Sequence, residues 1–308
     1  MHGNAGEMHR RGYNSILIKV FIAVQPLEYS YQKLSHGRNV MAFRFPFLSR
    51  SQRQALIVLY ALQQELQDVV QDCSQADLAL TTLSWWEKQI NGLFASTDKP
   101  EHPLMQALLP LIGLYCLPQS ELQALIDAYR TELTQARFQD MAQLRRYAAA
   151  AGMVQGRLSS RVLGFSVPQT LDFAGKVGET AVLVRLFSRI GADARQGKLY
   201  IPVETLQAFN VPAHLVINRQ GGAEFKTLLN MSMAELQQQI KSVVAMLPSA
   251  DRRRQRASLA VLATIAALLE EIRLDGVENI MNYQLIVPRA RQQRLAWKTW
   301  LFGFNPVG

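Results

Sequence analysis

The chain has 308 residues, enough to bury a large core in one helical domain or in two ordinary ones. Hydrophobic residues at 49% against charged residues at 19% describe a folded chain and exclude a disordered one. The 33 basic against 24 acidic residues leave a net charge of +9, which suits an anionic partner such as a membrane surface, a diphosphate or nucleic acid. No helix-turn-helix signature, zinc-finger spacing or aromatic RNA-binding box accompanies that charge, so no nucleic-acid partner is expected. Cys73 and Cys116 make no disulfide framework, which predicts a cytoplasmic location.

Residues 1–25 read as a poorly ordered N-terminal extension and residues 26–308 as one domain. The apolar stretch at residues 15–24 is broken by Lys19 and falls short of the roughly 20 residues a spanning helix needs. No small-residue cleavage site follows it. From Ser51 to about Cys73, Leu59, Leu62, Leu66, Val69 and Cys73 recur every three or four positions, the pattern of an amphipathic helix. The same spacing in Leu83, Trp86, Ile90 and Leu93 predicts a second helix over residues 76–94. Residues 98–103 have the composition of a loop. A short helix follows and then, after Pro118, a helix through Leu122, Leu125, Ile126, Tyr129 and Leu133.

Residues 141–162 predict a helix in which the alanines from Ala148 to Ala151, with Gly152, let another helix pack closely. Pro168 opens a further helix through Phe173, Val177 and Leu183 to about Ile190, and residues 197–202 are a clear break. Ser232 with Glu235 forms a capping box that predicts a helix start before Leu236, Ile240, Val243 and Leu247. The basic loop from Arg252 to Arg256 leads into Leu259, Leu262, Ile265, Leu269 and Ile272, a helix stopped near Gly276. Beta-branched runs of period two are scarce, and neither a long linker nor a solenoid repeat is present. The expected fold class is all-α, in one domain.

Familiar chemistry is mostly missing. His2, His9, His36, His102 and His214 are too scattered for a local metal motif. Gly175-Lys-Val-Gly178 lacks the preceding glycine of a phosphate loop and reads as small residues in a packed helix. Two segments carry a pattern of their own. The first is Tyr60-Ala-Leu-Gln-Gln-Glu-Leu-Gln-Asp-Val-Val-Gln-Asp-Cys73. The second runs from Gly178 through Arg185, Ser188, Arg189 and Asp193 to Gly197-Lys-Leu-Tyr-Ile-Pro202.

Both resemble squalene/phytoene synthases, most closely the bacterial branch that makes presqualene diphosphate. In that family the first segment is an arginine followed by DDxxD. The second is Asn-x-x-Arg-Asp-x-x-x-Asp running into Gly-(Arg/Lys)-x-Tyr-(Leu/Ile)-Pro. The resemblance also takes in Pro26-Leu-Glu-Tyr29 with Gln32 and Lys33, Leu83-Ser-Trp-Trp86 with His102 and Pro103, Tyr147 to Leu158, and Ala296 to Trp300. In all it spans roughly residues 26 to 300. It implies an isoprenoid synthase-type helical bundle around a central cavity. There two prenyl diphosphates join head to head, and carboxylates at i and i+4 on facing helices hold the Mg2+ that neutralises the departing diphosphate.

This chain departs from that pattern where the metal is held. The metal-facing acids of the first segment fall on Gln67 and Gln71, with Asp68 and Asp72 beside them, and the arginine falls on Gln64. In the second segment the asparagine falls on Arg185, the arginine on Ser188, the first metal-facing aspartate on Arg189 and its neighbour on Ala192, which leaves Asp193. A Ser-Phe pair that helps bind substrate in the family falls on Val40 and Met41, whereas Arg137, Tyr147, Lys198 and Tyr200 match. An amide is a poor magnesium ligand and an arginine repels the ion. At an effective dielectric of about 20, one misplaced charge a few ångströms away costs on the order of several kcal/mol.

Set against the resemblance, these departures imply a non-catalytic member without metal or cofactor, its motif eroded at Gln67, Asp68, Gln71, Asp72, Arg189 and Asp193. Arg185, Arg189, Arg137, Lys198 and Tyr200 form the candidate phosphate-binding set. Arg185 and Arg189 are four apart and expected on one helix face, where they either grip a phosphate or pair with Glu65, Asp68 or Asp72. The expected partners are a prenyl diphosphate, an anionic lipid, or a protein in an assembly role. The alternative is a divergent active head-to-head prenyltransferase in hopanoid or carotenoid synthesis, with Mg2+ on Asp68, Asp72 and Asp193. Finally, residues 289–304 mix Arg291, Arg294 and Lys298 with Trp297, Trp300, Phe302 and Phe304. Such a mixture suits peripheral contact at the inner membrane face, or equally a helix packing its tryptophans into the bundle.

Overall fold

The computed structural model describes residues 25–35, 45–72, 75–95, 99–134 and 137–306. The expected extension over residues 1–24 lies outside the described residues, as do His36, Val40, Met41, Cys73 and the side chain of Asp72. The described residues form thirteen α-helices and two short 3-10 turns, with no strand. The first five helices are α1 (Pro26–Ser35), α2 (Arg50–Asp72), α3 (Ala76–Ala95), α4 (Pro103–Leu114) and α5 (Gln119–Thr134). Two long helices follow, α6 (Met141–Leu163) and α7 (Gln169–Ser188). Three short ones, α8 (Ile190–Ala194), α9 (Val203–Ala208) and α10 (Ala213–Ile217), lead to α11 (Ala223–Ala245), α12 (Arg256–Asp275) and α13 (Arg289–Phe302).

The apolar spacing read from the sequence is the buried face of these helices. Leu59, Leu62 and Leu66 of α2 are buried, as are Leu83, Trp86, Ile90 and Leu93 of α3. Along most of its length helix α7 buries residues in every direction, through Phe173, Val177, Val182, Leu183, Val184, Leu186 and Phe187, while Asp172 and Lys176 near its start reach solvent. It packs against α6, α11 and α12 and is the axis of the bundle. Its seam with α6 is made by glycines: a Cβ at Gly152 would lie 2.4 Å from the Gly178 carbonyl oxygen, and one at Gly178 1.9 Å from that of Gly152. The small residues at both positions are what let the two backbones touch.

The N-terminus of α7 is anchored from afar by Asp251. Its carboxylate accepts from the backbone N–H of Ser166 at 2.8 Å and of Val167 at 3.2 Å, and from the Thr170 hydroxyl at 2.7 Å. These are donors that a helix start otherwise leaves unpaired, and a negative charge suits that end. Burial alone would raise the Asp251 pKa, but the hydrogen bonds from the Ser166 hydroxyl and backbone, Thr170 and Val167 outweigh it and hold the group well below the usual carboxylate range. The capping box at Ser232 and Glu235 does not start a helix. Helix α11 begins upstream at Ala223, because Phe225, Leu228 and Leu229 continue the buried stripe of Met233, Leu236 and Ile240, so Ser232 sits in mid-helix. No helix among the described residues is long and apolar enough to cross a membrane.

Candidate functional site

A cavity of about 150 Å³ lies between α2, α5, α6, α7 and α12. Gln63, Gln64 and Gln67 face it from α2, Gln155 and Ser159 from α6, and Arg185 and Ser188 from α7. The opposite wall is apolar, with Val261, Ile265 and Leu268 from α12 and Leu285, Ile286 and Val287 from the segment before α13. Gln155 is only 4% exposed, and both ends of its amide lack a hydrogen-bond partner, as does the Ser159 hydroxyl one turn on. A buried polar group left this way costs about 1–3 kcal/mol, so this wall is set up for a polar group it does not itself supply. A second cavity, of about 360 Å³, opens on the other side of α7 against Leu183, Leu186 and Phe187. Of the candidate site residues only Tyr200 lines it.

The surviving acids of the first segment are neutralised by a helix far away in sequence. The ammonium of Lys33, on α1, lies 2.9 Å from Glu65 and 2.8 Å from Asp68. Tyr29, one turn earlier on α1, donates to Glu65, and the Gln64 amide donates to Asp68 at 2.6 Å. Burial works against the charge on Lys33, but Glu65 and then the hydrogen bonds to Asp68 and Glu65 prevail and raise its pKa. Beside this cluster His102 caps α4 by accepting from the Leu104 N–H through Nδ1 at 3.2 Å. Burial, aided by Lys33, lowers its pKa to about 4, so the ring is neutral near pH 7. The expected pairing of these acids with Arg185 or Arg189 is therefore replaced by a contact with Lys33. Gln67 faces the cavity, Gln71 is half-buried, and Asp72 closes α2.

The second segment is broken where a single helix face was expected. Helix α7 ends at Ser188, Arg189 caps it with φ −108° and ψ 4°, and α8 begins at Ile190. Arg185 consequently faces the cavity, whereas Arg189 turns to Asp193, its Nε 3.5 Å from Oδ1. Asp193 is buried, its Oδ2 has no hydrogen-bond partner, and burial outweighs the nearby Arg189, Arg185 and Lys198 to raise its pKa. Lys198 donates to the Val70 carbonyl near the end of α2 at 3.1 Å.

Around Arg185 stand Tyr147 and Tyr200, both named from the sequence, and Glu132, which the sequence reading did not include. Tyr147 and Tyr200 both donate to Glu132 of α5, Tyr200 at 2.6 Å. Burial, and then Glu132, raise both phenols above their ordinary range, so they remain protonated donors. Glu132 lies one turn after the buried Tyr129, and a lone acid on that otherwise apolar face was the available signal. Arg137 precedes Phe138, whose ring packs on Tyr147 and Tyr200, and its Nε is buried without a partner. Arg185 itself forms no ion pair among the described residues.

The described side chains do not fit a magnesium clamp. Among the described residues no three of Asp, Glu, His and Cys come together in a group that could hold a metal. Glu65 and Asp68 are committed to Lys33, Asp193 to Arg189, and the other cavity-facing groups on α2 and α6 are amides and hydroxyls that carry no charge.

The squalene/phytoene synthase family model matches residues 36–300. The chain is 24% identical over 196 residues to the phytoene synthase of Arthrospira platensis, which covers 59% of this chain and 63% of that one. It is 26% identical over 156 residues to the presqualene diphosphate synthase of Sinorhizobium fredii, covering 50% and 55%. These alignments thus span less than two thirds of either relative. Among solved structures, the squalene synthase of Alicyclobacillus acidocaldarius superposes with a TM-score of 0.70 at 19% identity, over 82% of this chain and 94% of that one.

Proposed function

The chain belongs to the squalene/phytoene synthase family, and from that premise we propose that it uses the family fold to hold one anionic amphiphile, without metal, instead of joining two prenyl diphosphates. The observation that carries this reading is the pairing of the described acids of the two segments, Glu65 and Asp68 with Lys33 and Asp193 with Arg189. A departing diphosphate needs its developing charge met by cations, and carboxylates already paired with ammonium or guanidinium groups are poor hosts for Mg2+.

The ligand is a prenyl phosphate or a lipid of similar chemistry. Its head group lies against Arg185, whose guanidinium fork grips phosphate oxygens directly, with the Gln155 amide and Ser159 hydroxyl as further donors. Its tail follows Val261, Ile265 and Leu268 toward Ile286. The test is incubation of the purified protein with farnesyl or geranylgeranyl diphosphate and Mg2+. No squalene-type or phytoene-type product is expected. Metal-dependent release of pyrophosphate above a boiled control overturns the reading and restores the active prenyltransferase.

A further inference from the structure

One end of the molecule combines exposed aromatic rings with uncompensated cations. Helix α13 carries Arg289, Arg291, Arg294 and Lys298 and no acidic residue. Its inner face, with Gln292, Ala296 and Thr299, is buried, while its outer face leaves Trp297 43% and Phe302 82% exposed with Leu301 beside them. Trp300 turns inward, stacked on Phe47 and lying under the guanidinium of Arg256. Arg252 and Arg253, four and three residues before Arg256 in the chain, are exposed. Arg291 pairs with Glu271, but among the described residues Arg252, Arg253, Arg294 and Lys298 form no ion pair.

We propose that this face docks on an anionic lipid bilayer. Trp297, Leu301 and Phe302 enter the boundary between head groups and acyl chains, and Arg294, Lys298, Arg252 and Arg253 meet the lipid phosphates. Exposed apolar rings on one face of a helix that bears only positive charge are complementary to such a surface. The net charge of +9 draws the whole chain in the same direction. The docking face also adjoins the cavity mouth. Ile286, which is 45% exposed, and Gln292 on the inner face of α13 both line the cavity. An amphiphile can therefore pass from the bilayer toward Arg185 without crossing water. This last step rests on the proposed ligand role, whereas the docking itself does not.

The experiment is co-sedimentation of the full chain with vesicles of phosphatidylcholine alone, or with phosphatidylglycerol added. Wild type is expected to bind only the anionic vesicles, with tryptophan fluorescence quenched by lipids brominated on their acyl chains and that quenching reduced in Trp297→Ser/Phe302→Ser. The variants Arg294→Glu/Lys298→Glu and Trp297→Ser/Phe302→Ser should each weaken binding roughly tenfold or more. Arg294, Lys298 and Phe302 are exposed, and Trp297 is half-exposed with edge contacts to Phe47 and Trp300, so circular dichroism should stay at wild-type values and the melting temperature should fall by about a few degrees at most. Absence of wild-type binding, or equal binding by both double variants, overturns the proposal. Capture by an acidic protein while anionic vesicles are ignored also overturns it and assigns the face to a protein partner. Metal-free prenyl phosphate binding, titrated separately in solution, tells whether the ligand role fails along with the docking.

Discussion

Replacing Lys33 by Met keeps the stem of the side chain and removes the charge that spans Glu65 and Asp68. Those two acids are neighbours at i and i+3, so their charges stand about 5–6 Å apart once the ammonium at 2.9 and 2.8 Å is gone. At an effective dielectric of about 20 their repulsion amounts to about 3 kcal/mol. The group is partly exposed, and solvent screening reduces the net destabilisation to about 1–2 kcal/mol, a fall of a few degrees in melting temperature. The freed pair should then do what the wild type does not. Millimolar Mg2+ should raise the melting temperature of Lys33→Met saturably, beyond a sodium control of equal ionic strength, and leave wild type unchanged. The pH dependence follows from the raised Lys33 pKa. As far as the lysine itself is concerned, its contribution is fully present below the unfolded value of about 10.4 and is lost as pH rises through the higher folded value, so the two proteins converge in stability at strongly alkaline pH. A variant as stable as wild type and blind to Mg2+ would refute the reasoning. So would a saturable Mg2+ shift in wild type that Asp68→Asn abolishes.

Two further predictions concern what holds the cavity walls in place. Asp251→Asn should cost about 2–4 kcal/mol near pH 7, measured by urea melts, because it removes a buried charge that organises the start of α7. The depressed pKa of Asp251 means that this contribution exists above the unfolded value of about 3.9 and fades as pH falls through the folded value, so the gap between variant and wild type must close in strong acid and not in base. Gly152→Ala should destabilise by about 1–3 kcal/mol or more, since its Cβ would meet the Gly178 carbonyl at 2.4 Å. The control Gly113→Ala, with nothing within 4 Å, should be neutral or stabilising in the same thermal melts.

The helices were legible because apolar residues at three- and four-residue spacing have one stable arrangement, buried. Leu83, Trp86, Ile90 and Leu93 illustrate it, and the run ending in Gly152 marked the tight seam with α7 before its partner Gly178 was located. What sequence spacing could not carry were contacts between helices distant along the chain. Lys33 meets Glu65 and Asp68 only because α1 packs on α2, and Glu132 meets Tyr200 only through the fold. Local geometry also misled. Arg185 and Arg189 share a face only on an unbroken helix, and the break after Ser188 sends one to the cavity and the other to Asp193. Trp297 and Trp300 likewise looked alike in sequence and both touch Phe47, yet only Trp300 lies under Arg256, while Trp297 remains the more exposed of the two.

The central claim is that the cavity works without metal, and a titration with farnesyl diphosphate tests it most directly. Affinity should be measured twice on the same preparation, in excess EDTA and in millimolar Mg2+, with Arg185→Gln as the comparison. Direct capture by the guanidinium predicts equal affinity under both conditions and at least a tenfold loss in Arg185→Gln, about 1.4 kcal/mol. Binding that requires Mg2+, or that Arg185→Gln leaves intact, would contradict it.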